Sequence, residues 1–369
     1  MQEQILDALR RGDAATALAA ARAHAAEVPD DADAQRLLAL ALRSSGDYEG
    51  ARGAIARAME LAPDDARLHL AQAGLLIDAH DIEGARASLQ TAVGIDPNEF
   101  AAYIMQGHLA VVGNDLEEGD RLARLARRLA PEHPSLLALE GTLAMRRGDV
   151  DRAVQLLSRA IQGAPRDRTA LHALGCAYLA KDHFAFAEQT FRRLLEVSPG
   201  SDSVRVMVAQ LALRQGRPAE ALAEVSPLLE DPARRTPQLL RFAGELETAL
   251  GHPERALPLL REALAAAPAD RPVLAALLDA WGRLGDVDDA RRTLDALLAT
   301  SPESDAAWRA RLSLETGAAA DAVIAEWRAR RPGSVDAMEA EMTQHGVSGR
   351  LDEAEAVALA LLEREPGHA

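Results

Sequence analysis

Aromatic residues make up only 3% of this 369-residue chain, and lysine is rarer still, with Lys181 as the sole instance. With so few large rings, the core has to be built from Ala and Leu in thin layers of close-packed helices. A site that needs several lysines is excluded outright. Cys176 is the single cysteine, which rules out an intrachain disulfide and fits a reducing compartment. No apolar run approaches the ~20 residues needed to cross a bilayer. The first residues, MQEQILDALRRGD, read as an amphipathic helix without the charged-then-apolar order of a signal peptide, so a cytoplasmic protein is expected. Positive charge is also short: 41 Lys and Arg stand against 57 Asp and Glu, a formal net charge of -16. That field has the wrong sign for phosphate, which argues against nucleic acid or membrane as partners and favours a neutral or basic one.

What the chain has instead is a period. Pro29, Pro63, Pro97, Pro131, Pro165 and Pro199 stand 34 residues apart without a slip. A fixed period of this size is the mark of a stack of small modules, each unable to bury its apolar face alone. With each proline at block position 32, position 20 holds Ala17, Ala51, Ala85, Gly119, Ala153, Ala187, Ala221, Ala256, Ala290, Ala320 and Ala354, once an insertion before Pro237 and a deletion before Ala320 are allowed. Position 15 holds Gly12, Gly46, Gly148, Gly216, Gly251, Gly285 and Gly349, with His80, Asn114 and Asp182 in other copies. These residues tolerate a left-handed helix end, and an Asp after several of them suits the start of a new helix. Pro268, Pro302, Pro332 and Pro366 close later blocks.

Between these marks Ala, Leu, Arg and Glu dominate, and apolar residues return at three- and four-residue spacing, so each block is two antiparallel helices. At roughly 100° per residue, positions 4, 7, 8 and 11 of the first helix share one face, while positions 2, 5, 6, 9, 12 and 13 lie opposite. The first set is the packing face: Leu171, Leu174, Gly175 and Tyr178 in the sixth block, Leu274, Leu277, Leu278 and Trp281 in the ninth. Small residues at positions 8 and 20 let helix backbones approach closely, the reason Gly141, Gly175 and Gly244 are tolerated inside helices. Trp281, Trp308 and Trp327 fall at packing positions and are expected in the core.

The pattern Leu171, Leu174, Gly175, Tyr178, Ala187, Phe191, Pro199 resembles a tetratricopeptide repeat, and Trp308 sits where that family often has Trp. The resemblance covers essentially the whole chain, as about eleven repeats. It implies an all-α fold, an α-solenoid in which antiparallel helix pairs stack into a right-handed superhelix, first helices lining the concave groove. The organisation expected is one array over 1–369, regular over 1–302, with the last two repeats of 303–369 following a shortened repeat that could act as a hinge. The resemblance is nearly silent on function.

Catalysis needs convergent acids, bases or nucleophiles, and none is found. There is no phosphate-cradling glycine loop, no metal-spaced Cys or His cluster and no nucleophile elbow. His172 and Cys176, four apart, share one groove face with His108, too few ligands for zinc. The chain reads as a non-enzyme without cofactor. Arg121, Arg124, Arg127 and Arg128, and Arg328, Arg330 and Arg331, read as solvated convex faces near helix C-termini. Two groove chemistries of the family are missing. A carboxylate clamp lacks its Lys and Asn set in three successive blocks, and an asparagine ladder is ruled out because Asn98 and Asn114 are the only asparagines.

Groove positions carry the remaining information. The second block offers a polar lining of Asp33, Arg36, Arg43 and Ser44, whereas the fourth to eighth offer Ile104, Met105, His108, Val112, Leu139, Met145, His172, Cys176, Val206, Met207 and Phe242, with Gln210, Arg241 and Glu245 setting polarity at one end. An apolar, Met-rich wall suits an apolar protein or peptide segment. The leading expectation is therefore a bacterial-type adaptor. One alternative is the substrate-recruiting arm of a larger enzyme, such as a glycosyl- or sulfo-transferase or an oxygenase. Another is a self-assembling array, dimerising through a C-terminal end where no capping helix follows Leu361 and Leu362.

Overall fold

Helices in pairs account for nearly all of residues 1–364, which the computed structural model describes. Numbered in chain order, they run from α1 (Gln2–Arg11) and α2 (Ala14–Glu27) to α21 (Val335–Val347) and α22 (Leu351–Arg364), with no strand among the described residues. The expected helix stop at Pro366 lies outside those residues. The chain is an all-α solenoid divided into two compact units, Met1–Val204 and Arg205 onward. In the first unit α1 packs on α3 (Ala32–Ser45), α3 on α5 (Ala66–Asp78), α7 (Phe100–Val112) on α9 (Pro134–Arg146), and α9 on α11 (Arg168–Ala180). First helices thus line up beside first helices. The same order holds in the second unit for α15 (Pro237–Ala249), α17 (Arg271–Leu284), α19 (Asp305–Leu312) and α21.

The turn within each pair follows from two adjacent residues. Position 15 is left-handed in every copy where glycine stands, with φ of 74° at Gly12 and 87° at Gly46, and equally at His80, Asn114 and Asp182 (60°, 59° and 55°). This conformation closes the first helix: the amide of Gly46 donates to the Arg43 carbonyl and that of Asp47 to the Leu42 carbonyl. Where an aspartate follows, it opens the second helix. Asp47 accepts from the amide of Gly50 at 2.9 Å, and Asp81 from that of Gly84 at 2.9 Å.

Packing inside a pair depends on a glycine notch. A Cβ added at Gly141, Gly175 or Gly244 would stand 2.6 Å from Leu157, Phe191 or Leu260, each the residue at position 24 of the same block. The second helix therefore sets a large side chain directly on the backbone of the first. Position 20 supplies the complementary small surface: Ala17, Ala51, Ala85, Ala153 and Ala187 are fully buried. The insertion before Pro237 forms a short 3-10 turn, Pro232–Arg234. The deletion leaves α19 only 8 residues long, packed against α17, α18 (Val287–Thr300), α20 (Ala318–Arg330) and α21. Near the last described residues, Leu361 is buried and Leu362 is 44% exposed.

Candidate functional site

Within the first unit, the stacked first helices α7, α9 and α11 carry eight of the residues expected to line a groove. Met105, His108, Met145 and Cys176 are half-buried, His172 is exposed and Val112 is 69% exposed. These six form an accessible wall. Two others need correction: Leu139 is completely buried and Ile104 is buried in the same apolar cluster, with Val111, Leu136 and Leu143. The cause is local. Position 24 of this repeat is the small Ala123, which leaves the notch at Gly107 open, and Leu139 of the next repeat fills it, its Cδ2 2.5 Å from where a Cβ on Gly107 would stand.

The polar members of this wall are quiet. Cys176 Sγ lies 3.9 Å from His172 Nδ1, and the His172 ring meets the buried Phe191 edge-on with centroids 6.0 Å apart. Burial pushes the Cys176 thiol above its ordinary pKa, so it stays protonated and weakly nucleophilic. Burial likewise pushes the His108 imidazole below its ordinary value, against the charge of Asp167, which keeps it neutral at physiological pH. Among the described residues no group of three or more His, Cys, Asp or Glu could hold a metal ion. This arrangement presents shape and apolar contact, with neutral side chains between.

In the second unit, Val206 and Met207 are half-buried and Gln210 is exposed on α13 (Asp202–Arg214). Phe242 on α15 is buried against Leu246 and Val225 and belongs to the core, a second correction to the expected lining. Arg241 and Glu245, one turn apart, pair with each other, so neither offers a free charge.

The basic stretches are mostly neutralised on the surface: Arg121 pairs with Glu118, Arg127 with Glu140, Arg328 with Glu341, Arg330 with Glu326 and Arg331 with Asp305. A different basic feature was not visible in the sequence. At the turns after α1 and α3, Arg10 and Arg43 line a cavity whose other wall carries Arg166 and Arg168, about four repeats away. Nothing in a single repeat signals it, because these residues meet only through the curl of the first unit.

Among the described residues no helix is long and apolar enough to cross a membrane. No curated protein matches the sequence significantly. Solved structures do match in fold. The human IFIT1 dimer with m7Gppp-AAAA is 16% identical with a TM-score of 0.51, covering 73% of this chain and 72% of that one. PilW, a type IV pilus biogenesis factor, is 17% identical with a TM-score of 0.47 over 57% of this chain and 98% of its own. TTC0263 of Thermus thermophilus, a thermophilic repeat protein, is 21% identical with a TM-score of 0.44 over 49% and 99%. Identities this low speak to fold alone. The family models are more specific: one described as tetratricopeptide repeat matches 3–66, 39–100, 104–170, 172–230 and 206–271, and a second so described matches 247–323. With the left-handed turns, the small residue at position 20 and the helix pairs already in place, the chain belongs to the tetratricopeptide repeat family.

Proposed function

We propose that the chain is a non-catalytic adaptor of the cytoplasm, and that the wall formed by α7, α9 and α11 takes an apolar segment of a partner protein. The observation that carries this reading is the accessible set Met105, His108, Val112, Met145, His172 and Cys176: apolar or neutral side chains on the first helices that the repeat's own packing leaves uncovered. Repeat solenoids use such surfaces for binding, and methionine adapts its shape to an irregular apolar ligand. The self-paired Arg241 and Glu245, and the neutralised arginine stretches, favour recognition by shape over charge. A role in nucleic-acid binding has no support beyond the fold, since the net charge of -16 opposes it.

The test is affinity capture from the native cell extract with three baits: the wild type, Met105→Glu with Met145→Glu, and Arg124→Glu on α8 (Leu116–Leu129). A carboxylate set into an apolar contact costs on the order of 2 kcal/mol, about thirty-fold in affinity. A partner retained by the wild type and Arg124→Glu, yet lost by the double variant with its helicity intact, supports the wall as the site. Equal retention by all three removes it.

A further inference from the structure

A cavity of about 730 Å³ lies inside the first unit, where the turns that follow α1 and α3 meet the loop entering α11 and the loop after α12 (Phe184–Val197). Arg166 Nη2 reaches within 3.7 Å of where a Cβ on Gly12 would stand, so residues more than 150 positions apart approach closely across it. Solenoid contacts are otherwise between neighbours, which makes this closure a property of the curl. Four guanidinium groups line the space, Arg10 and Arg43 on one wall and Arg166 and Arg168 on the other, against a single carboxylate, Asp78.

The charges are not equally engaged. Arg43 gives two hydrogen bonds to Asp78, at 2.5 and 3.1 Å. Arg10 reaches Asp7 at 2.5 Å, in a pair so exposed that it contributes little. Among the described residues, Arg166 and Arg168 have no ion-pair partner. Asp167 between them is turned to its own helix, where it accepts from the amide of Ala170 at 3.0 Å. On the same wall the Ser198 hydroxyl is buried without a hydrogen-bond partner. In a chain with 57 acidic residues, two guanidiniums without an ion-pair partner and an orphaned hydroxyl around one half-open cavity are the opposite of what random surface charge would give.

We propose that this cavity binds a small ligand carrying two or more phosphoryl groups, bridging Arg10 and Arg43 on one wall to Arg166, Arg168 and Ser198 on the other. Guanidinium forks match phosphoryl oxygens in geometry and charge, the volume suits a small molecule, and ligation from both walls requires more than one anionic group. The net negative charge of the chain does not prevent this, since screening confines each field to about 8 Å in physiological salt. Bound there, the ligand ties the first two repeats to the fifth and sixth and holds the pitch of the first unit.

The probe is inorganic pyrophosphate, titrated calorimetrically into the full chain at low ionic strength, with citrate in parallel. Saturable one-to-one binding is expected, weakened at least ten-fold by Arg166→Ala with Arg168→Ala. It should stay within two-fold for Arg124→Ala with Arg128→Ala, which removes the same charge from α8. Both substituted pairs are exposed, and helicity confirms that each variant is folded. No saturable binding, or equal weakening in both double variants, overturns the proposal. Citrate binding as tightly as pyrophosphate overturns its phosphoryl specificity.

Discussion

Repeats five, six and eight hold their helices together differently from repeats nine and ten. In the former, a glycine in the first helix receives Leu157, Phe191 or Leu260 from the second, and the two backbones approach as closely as a side chain allows. In the latter, tryptophan does the filling: Trp281, Trp308 and Trp327 are all buried, and the rings of Trp308 and Trp327 stack with centroids 6.2 Å apart and planes within 10°. The shortened repeat explains the change. With α19 cut to 8 residues, a turn and more of apolar surface is missing, and two indoles supply area that alanine and leucine cannot. Each indole N–H is also used: Trp281 donates to Asp289 at 2.8 Å, Trp308 to the Pro302 carbonyl at 3.0 Å and Trp327 to Asp305 at 2.8 Å. A notch fixes distance, whereas a ring with a directed hydrogen bond fixes orientation too.

The sharpest way to break this comparison is Trp327→Ala, expected to cost about 3–5 kcal/mol as a buried aromatic deletion. Asp305 keeps Ser334 and Arg331 as partners, so the loss is mainly of packing. Because solenoid stability is a sum of neighbouring terms, amide exchange should rise sharply in α19, α20 and α21 and stay unchanged in residues 1–204. Exchange rising equally throughout would show that the array unfolds as one unit and that the contrast between repeat types has no energetic meaning.

Glu315 gives a smaller effect that depends on pH. It lies in the turn between α19 and α20, with its side chain only 8% exposed, and accepts from Arg291 at 2.7 and 2.9 Å and from Arg311. The hydrogen bonds from Arg291, and then those from Arg311, outweigh burial and hold its pKa below the ordinary glutamate value. A depressed carboxylate pKa stabilises the fold fully above the unfolded value of about 4.3, and that contribution is lost as pH falls through the depressed folded value. Glu315→Gln should therefore cost about 1–2 kcal/mol at pH 7 and progressively less in acid. All three tryptophans lie between residues 281 and 327, so their emission during urea unfolding reports this region. An equal gap between variant and wild type at both pH values would contradict the assignment.

These elements show what a repeat sequence does and does not disclose. The turn residues were legible one by one, His80, Asn114 and Asp182 included, because a left-handed helix end is a requirement on a single backbone position. The three tryptophans were legible as core because they fell at packing positions of their own helices. Leu139, Ile104 and Phe242 were misplaced in the groove because helical periodicity gives a direction and not the neighbour that covers it. Whether a position-6 side chain is free depends on the size of residues in the adjoining repeat, as Ala123 and Gly107 decide for Leu139. The cavity between Arg43 and Arg166 was invisible for a stronger reason: it arises from small rotations summed over several repeats, and no local pattern encodes that sum.

The notch itself is tested by one substitution made at two glycines. Alanine is a better helix former than glycine by roughly 1 kcal/mol, a gain available wherever the new methyl group meets nothing. Gly53 is such a place, exposed on α4 (Tyr48–Leu61) with no atom within 4 Å of the added Cβ. Gly53→Ala should stabilise the first unit by somewhat less than about 1 kcal/mol. At Gly175 the same methyl would stand 2.6 Å from Cε1 and Cζ of Phe191, which is fully buried and has no room to withdraw. Overpacking of this kind costs about 1–3 kcal/mol, so the propensity gain is reversed and Gly175→Ala should be destabilising. Combining Phe191→Ala with Gly175→Ala should cost less than the sum of the two single substitutions, since removing the ring removes the atoms that the new methyl group meets. Two alanines of opposite sign in urea melts would establish that the glycine is kept for the approach of the second helix. Two of the same sign would mean that the close contact is relieved by a small shift of the helices, and that tryptophan and glycine repeats are packed less differently than their sequences imply.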